Sequence, residues 1–160
     1  MKEVIVKVAD WAAEQGDGVL ITLGLGSCVA IMLHDPQTRT GAMAHVLLPS
    51  TSLARDTTNR AKFPDTAVPL LIERLKAIGA DPRRLVAKLA GGASMFSQLV
   101  TPSTIQMGER NVLASRSALR KAEIPILREA VGGERGRSVR FHVGDGRVEI
   151  RSVGAAADVI

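Results

Sequence analysis

Between two apolar runs that read as strands, Val19 to Leu23 and Cys28 to His34, the chain breaks at Leu23-Gly24-Leu25-Gly26-Ser27. A buried strand has no use for Gly-x-Gly, so the break predicts a tight turn between two sheet segments, with the chain's single cysteine directly behind it. The spacing excludes two common glycine loops. A dinucleotide-binding turn needs a third glycine opening a helix, whereas Ala30 and Ile31 continue an apolar run here. A phosphate loop needs Gly-Lys-Ser or Gly-Lys-Thr, and neither occurs.

One thiol cannot close an intramolecular disulfide, and it is too few to hold zinc or an iron–sulfur cluster. Cys28 is therefore either a small packed apolar group or a reactive thiol. Composition alone favours burial, but the glycines at 24 and 26 favour reactivity. They allow close approach by another molecule, and they leave the backbone N–H groups of Gly26, Ser27 and Cys28 as donors to a developing oxyanion. No metal or cofactor is required by such a site.

A cysteine nucleophile needs a base, and the chain has three histidines: His34, His45 and His142. Residues 28 to 34 and 41 to 48 read as an antiparallel hairpin closed at Asp35-Pro36. Facing residues then have numbers summing to roughly 73 to 75. A sum of 73 puts His45 opposite Cys28, and 75 puts it opposite Ala30, diagonal to Cys28; both leave the two side chains on one face, whereas 74 separates them. His45 is the geometric candidate for the base. His34, at the far end of the hairpin, is expected to be exposed, and His142 to face solvent. Thr22, on the strand entering the glycine turn, offers a hydroxyl that would hold the imidazole, although threonine is common in strands for propensity alone.

Strands are also expected at residues 3 to 8, 18 to 23, 85 to 89, 124 to 131, 138 to 143 and 147 to 153, the last two joined by Gly144-Asp145-Gly146. Helices are expected from Asp65 to Ile78, capped by Asp65 or Thr66 with Pro69 in the first turn, and from Glu109 to Ala122. Residues 50 to 62 read as a mobile polar loop, and the tail after Gly154 as weakly patterned. Arg110-Asn111 suits either support of the site or the start of the second helix, and no chemistry is assigned to it. The 160 residues fit one domain, 1–160, of mixed α/β (α+β) class.

The net charge of +5 invites a nucleic-acid partner. With four aromatic residues, no tyrosine and no basic block longer than Arg83-Arg84, an acidic protein partner suits the charge equally well and a base-stacking platform does not. No apolar stretch approaches the roughly 20 residues that span a bilayer. The first residues carry no export signal, and a lone unpaired cysteine suits the cytoplasm.

The string Thr22-Leu23-Gly24-Leu25-Gly26-Ser27-Cys28-Val29-Ala30, followed by Gly41 to Pro49 with His45 at its centre, resembles the CheD family of bacterial chemotaxis proteins. Further blocks follow in the family order: Lys62-Phe63 with Asp65-Thr66-Ala67, Lys88 with Gly91-Gly92-Ala93-Ser94-Met95-Phe96, Gly108 with Arg110-Asn111, and Gly132-Gly133 with Gly136-Arg137. The resemblance covers about residues 3 to 153. It implies a chemoreceptor glutamine deamidase, acting on the cytoplasmic domain of methyl-accepting receptors, with Cys28, His45 and Thr22 as catalytic residues. It implies a β-sandwich-like core flanked by two main helices, related to toxin deamidases. It also implies a second partner, the CheC phosphatase, for which Phe96 is a plausible contact; an adaptor that chiefly regulates CheC is the alternative role. Phe63 and Pro64 stand where the family usually has tyrosine and alanine, and Pro69 is unusual in the helix that follows; the departures bear on the loop over the site rather than on its chemistry.

Overall fold

The structure is a computed structural model, and it describes residues 1–94 and 106–160. Among the described residues, ten strands form two five-stranded sheets. One has the order β1 (Glu3–Ile5), β3 (Val19–Leu25), β8 (Arg137–His142), β9 (Val148–Ser152), β10 (Asp158–Val159). The other has the order β2 (Trp11–Gln15), β5 (Thr40–Val46), β4 (Val29–Asp35), β6 (Val86–Gly91), β7 (Ile126–Val131).

Two apolar clusters assign the layers. Leu20, Leu25, Ala30, Met32, Met43, Val139, Phe141 and Val148 fill the space between the sheets. On the opposite face of the second sheet, Ile31, Leu33, Ala44 and Val46 meet Leu71 and Leu75 of α1 (Pro64–Ala77) and Leu119 of α2 (Met107–Lys121). The second sheet is thus buried on both faces, so β4 and β5 are buried at every position and read as unbroken apolar runs. The expected sandwich with two helices is present, with both helices on one side.

Boundaries differ from expectation where the chain turns without a sequence break. Residues 3 to 8 do not form one strand: β1 ends at Ile5, Ala9 takes a left-handed φ of 61°, and Trp11–Gln15 pairs with β5 instead. The weakly patterned tail carries a short strand, because Asp158 and Val159 pair with β9. Helix α1 begins at Pro64, with Phe63 rather than Asp65 or Thr66 at the cap, so Pro69 lies in the helix interior, past the first turn. The Thr66 hydroxyl instead donates to the carbonyls of Arg60 and Phe63. The loop after β5 is pinned by two short 3-10 turns and by Asn59, which donates to the Ala9 carbonyl at 2.9 Å.

His34 is not exposed. It is 6% accessible because the β8–β9 turn closes over the far end of the hairpin, and its Nε2 meets the Val143 carbonyl at 2.7 Å. His142 is half-buried, paired with Glu149 on the neighbouring strand.

Candidate active site

The hairpin register is the one that sums to 75. Ala30 faces His45 and Val29 faces Val46, so Cys28, just before the ladder, lies diagonally from His45 on the same face of the sheet. That face looks into the space between the sheets, where Cys28 packs half-buried against the inter-sheet cluster. The facing sheet contributes Thr22. Between Thr22 and Leu25 the β3–β8 register shifts, and this bulge lets both side chains point inward although three positions separate them. Gly24 takes φ +66° within the bulge, while Gly26 needs no such conformation.

Thr22 is fully buried, and its hydroxyl has one proton to give. The Val6 carbonyl takes it, at 2.7 Å, because a carbonyl can only accept. The contact between Thr22 Oγ1 and His45 Nδ1, at 2.8 Å, therefore has the ring donating to the hydroxyl. This assigns the tautomer: Nδ1 carries the proton and Nε2 keeps a lone pair. His45 Nε2 is itself buried with no hydrogen-bond partner among the described residues. An unpartnered buried acceptor is costly unless something uses it, and Cys28 is the diagonal neighbour of His45 on the same face of the sheet.

Burial pushes the His45 imidazole below its ordinary pKa, with the Val6 carbonyl working in the opposite direction. Burial also raises the Cys28 thiol, offset in part by the residue's own backbone N–H. Both shifts favour the uncharged forms, a neutral thiol and a neutral imidazole.

The turn before Cys28 is braced at three successive carbonyls. Ala93 N–H donates to the Gly26 carbonyl at 2.8 Å, Asn111 Nδ2 to the Ser27 carbonyl at 2.9 Å, and Gly92 N–H to the Cys28 carbonyl at 2.8 Å. In a trans peptide the N–H points opposite the carbonyl of the preceding residue. The Ser27 and Cys28 N–H groups accordingly face away from the second glycine loop and from α2, which is the disposition an oxyanion needs. Among the described residues no cluster of His, Cys, Asp and Glu could hold a metal ion.

A groove of about 620 Å³ lies elsewhere, along the β7 edge between Arg116, Arg120, Leu127, Arg128 and Glu129, and its lining contains no cysteine, histidine or hydroxyl side chain. Two contributors to the site escaped the sequence. The Val6 carbonyl is a backbone group, which no side-chain pattern reveals. Asn111 suits either support of the site or the start of the second helix in the sequence, which carries no signal of its target. Phe96, the expected CheC contact, lies outside the described residues.

Comparison with known proteins gives a consistent result. The model of the family described as CheD chemotactic sensory transduction matches residues 47–152, a span that begins beyond Thr22, Cys28 and His45. Curated relatives extend across them. The "Chemoreceptor glutamine deamidase CheD" of Thermotoga maritima is 44% identical over 154 residues, covering 96% of this chain and 94% of that protein. The "Probable chemoreceptor glutamine deamidase CheD" of Caldanaerobacter subterraneus subsp. tengcongensis is 42% identical, covering 93% and 92%. That of Moorella thermoacetica is 44% identical, covering 99% and 96%. Among solved structures, a Neisseria meningitidis protein of the DUF152 family superposes with a TM-score of 0.53 at 11% identity, over 84% of this chain and 65% of that one, a likeness of fold alone.

Proposed function

The chain belongs to the CheD family and is a chemoreceptor glutamine deamidase of bacterial chemotaxis, and from that premise we propose that Cys28, His45 and Thr22 carry the reaction. The observation that supports this most is the free Nε2 lone pair of His45, left over once Thr22 and Val6 have tied the other side of the ring.

The receptor glutamine presents its carboxamide carbon to Cys28. His45 Nε2 takes the thiol proton as the sulfur–carbon bond forms, and the carbonyl oxygen becomes an oxyanion held by the N–H groups of Ser27 and Cys28, with Gly26 shaping the turn. The imidazolium returns its proton to the departing nitrogen, releasing ammonia and leaving a thioester. Water then attacks that thioester, His45 taking its proton, and collapse of the second oxyanion yields glutamate and expels the sulfur, which takes the proton back from His45. The sum is glutamine plus water giving glutamate plus ammonia. Thr22 keeps Nδ1 protonated throughout.

The substrate side chain stands on a protein surface, which suits a half-exposed nucleophile at one end of a sandwich better than a deep cavity. Residues 1–160 act as one deamidase domain in the cytoplasm, where the signalling ends of receptors lie. The CheC partner belongs to the same proposal and is tested by its competition with receptor for this chain. The decisive experiment incubates the protein with a purified receptor cytoplasmic domain and follows a mass gain of about one dalton per converted glutamine together with released ammonia. Cys28→Ala and Cys28→Ser are expected to abolish both while circular dichroism is unchanged. Turnover retained in either variant would remove Cys28 from the mechanism.

A further inference from the structure

Asn111 is fully buried on α2, and one end of its amide is engaged twice. Its Nδ2 donates to the Ser27 carbonyl at 2.9 Å and to the Leu47 carbonyl at 3.1 Å. Ser27 directly precedes the cysteine, and Leu47 lies two residues beyond His45, just past the end of β5. A single NH₂ group therefore joins the strand end that carries the thiol to the strand end that carries the base. Its orientation is unambiguous, since both neighbours are carbonyls and only the donor end of an amide can face them.

The other end is left without a partner. Asn111 Oδ1 is buried and accepts no hydrogen bond among the described residues. A leucine or alanine would avoid that cost, which makes an orphaned acceptor poor economy for a residue whose task is packing alone. The helix start is built to bring this amide close: a Cβ on Gly108 would sit 2.3 Å from the Ala93 carbonyl, so only glycine lets α2 approach the second glycine loop this closely.

The chemical consequence follows from the peptide that Asn111 holds. The Ser27 carbonyl and the Cys28 N–H belong to one amide group. A donor on the carbonyl fixes the plane of that amide and polarises it, strengthening the N–H on its other side. We propose that Asn111 is a positioning residue for the oxyanion: through the Ser27–Cys28 peptide it aims and strengthens the Cys28 N–H that receives the developing charge. This rests on the cysteine deamidase reading above and adds to it a residue that never touches the substrate.

An oxyanion role separates from a merely structural one by comparing two reactions of the same sulfur. Deamidation passes through a tetrahedral oxyanion; alkylation of Cys28 by iodoacetamide does not. In Asn111→Ala, kcat for receptor deamidation is expected to fall about 10- to 100-fold, less than loss of a whole donor, with KM within about twofold. The alkylation rate of Cys28 is expected to stay within about threefold of the unmodified protein's. Should the alanine variant not fold by circular dichroism, Asn111→Ser, which keeps a small polar group in the same space, carries the same test. A folded variant with kcat within twofold of the parent overturns the proposal, and so does one in which alkylation and deamidation fall together. Cys28→Ala in the same assay keeps the two levels apart. Turnover surviving that change defeats the cysteine mechanism itself, whereas a dead Cys28→Ala beside an unaffected Asn111 variant defeats only the positioning role.

Discussion

The two ends of the β4–β5 hairpin carry two histidines that look alike by every coarse measure. His34 is 6% accessible and His45 is 1% accessible, each has one ring nitrogen in a hydrogen bond near 2.7–2.8 Å, and burial lowers the pKa of both. The difference lies in what holds the bonded nitrogen and what surrounds the free one. His34 donates Nε2–H to the Val143 carbonyl and sets its ring edge-on to Phe141 at 6.0 Å, so it fastens one sheet to the other. His45 is held through a hydroxyl already committed to Val6, and its free nitrogen is sealed from water on the face that carries the thiol. Burial and a depressed pKa therefore do not separate the proposed base from the other histidine; the environment of the unbonded nitrogen does.

The largest expected effect exploits that contrast directly. His45→Gln keeps a polar side chain but removes the proton acceptor, and deamidation should fall about 100- to 10,000-fold, as expected for loss of a general base. His34→Gln should leave kcat per folded molecule unchanged. Equal losses in the two variants, measured by ammonia release, would erase the distinction.

Next in size is the support of the ring. Thr22→Val preserves shape and removes the hydroxyl, leaving the Val6 carbonyl as the acceptor within reach of Nδ1–H. The tautomer survives with a less firmly held ring, so kcat should drop about 10- to 100-fold, the range typical of a residue that orients another. A loss as deep as that of Cys28→Ala would show that Thr22 does more than orient.

How far the sequence could go is visible in the same pair. Parity reasoning on the hairpin put His45 on the face of Cys28 at sums of 73 and 75 and on the opposite face at 74, because strand side chains alternate with period 2, and the register adopted is 75. The same reasoning misplaced His34, because what buries it is the β8–β9 turn more than a hundred residues away in the chain, and nothing local announces that closure. Trp11–Gln15 went unread as a strand since it pairs only with β5, across a left-handed residue at Ala9 that carries no glycine signal. Thr22 was legible as a candidate and the Val6 carbonyl was not, although the hydroxyl's role depends on it.

The pH profile gives a smaller effect with a definite sign. Protonation at Nε2 silences the base, so activity falls as pH drops through the pKa of His45. An imidazole at the ordinary value near 6.5 would lose roughly fourfold between pH 7.5 and 6. Because burial lowers His45, the fall in kcat/KM over that interval should be smaller than fourfold. A steeper loss, in protein whose folding is intact over the range, would mean that the ring is more accessible to water than its burial indicates. His34→Gln should show the same acid limb.

The smallest effect is the one left to His34. Replacing its ring with glutamine disturbs the hydrogen bond to the Val143 carbonyl and removes the edge-on contact with Phe141, and the loss should be about 1–3 kcal/mol of unfolding free energy, read from urea denaturation, with deamidation intact. Its pH dependence makes the assignment specific. Burial and the Lys88 ammonium lower the His34 pKa, while the Val143 carbonyl, Asp35 and Asp145 oppose them. A histidine with a depressed folded pKa binds protons more readily when unfolded, so its contribution to stability is intact above the ordinary pKa and is lost as pH falls below it. His34→Gln should therefore be less sensitive to acid between pH 7 and 5 than the parent, even though it is less stable at pH 7. A variant that loses stability equally at every pH would mean that His34 serves as a neutral spacer whose titration is the same in the folded and unfolded chain.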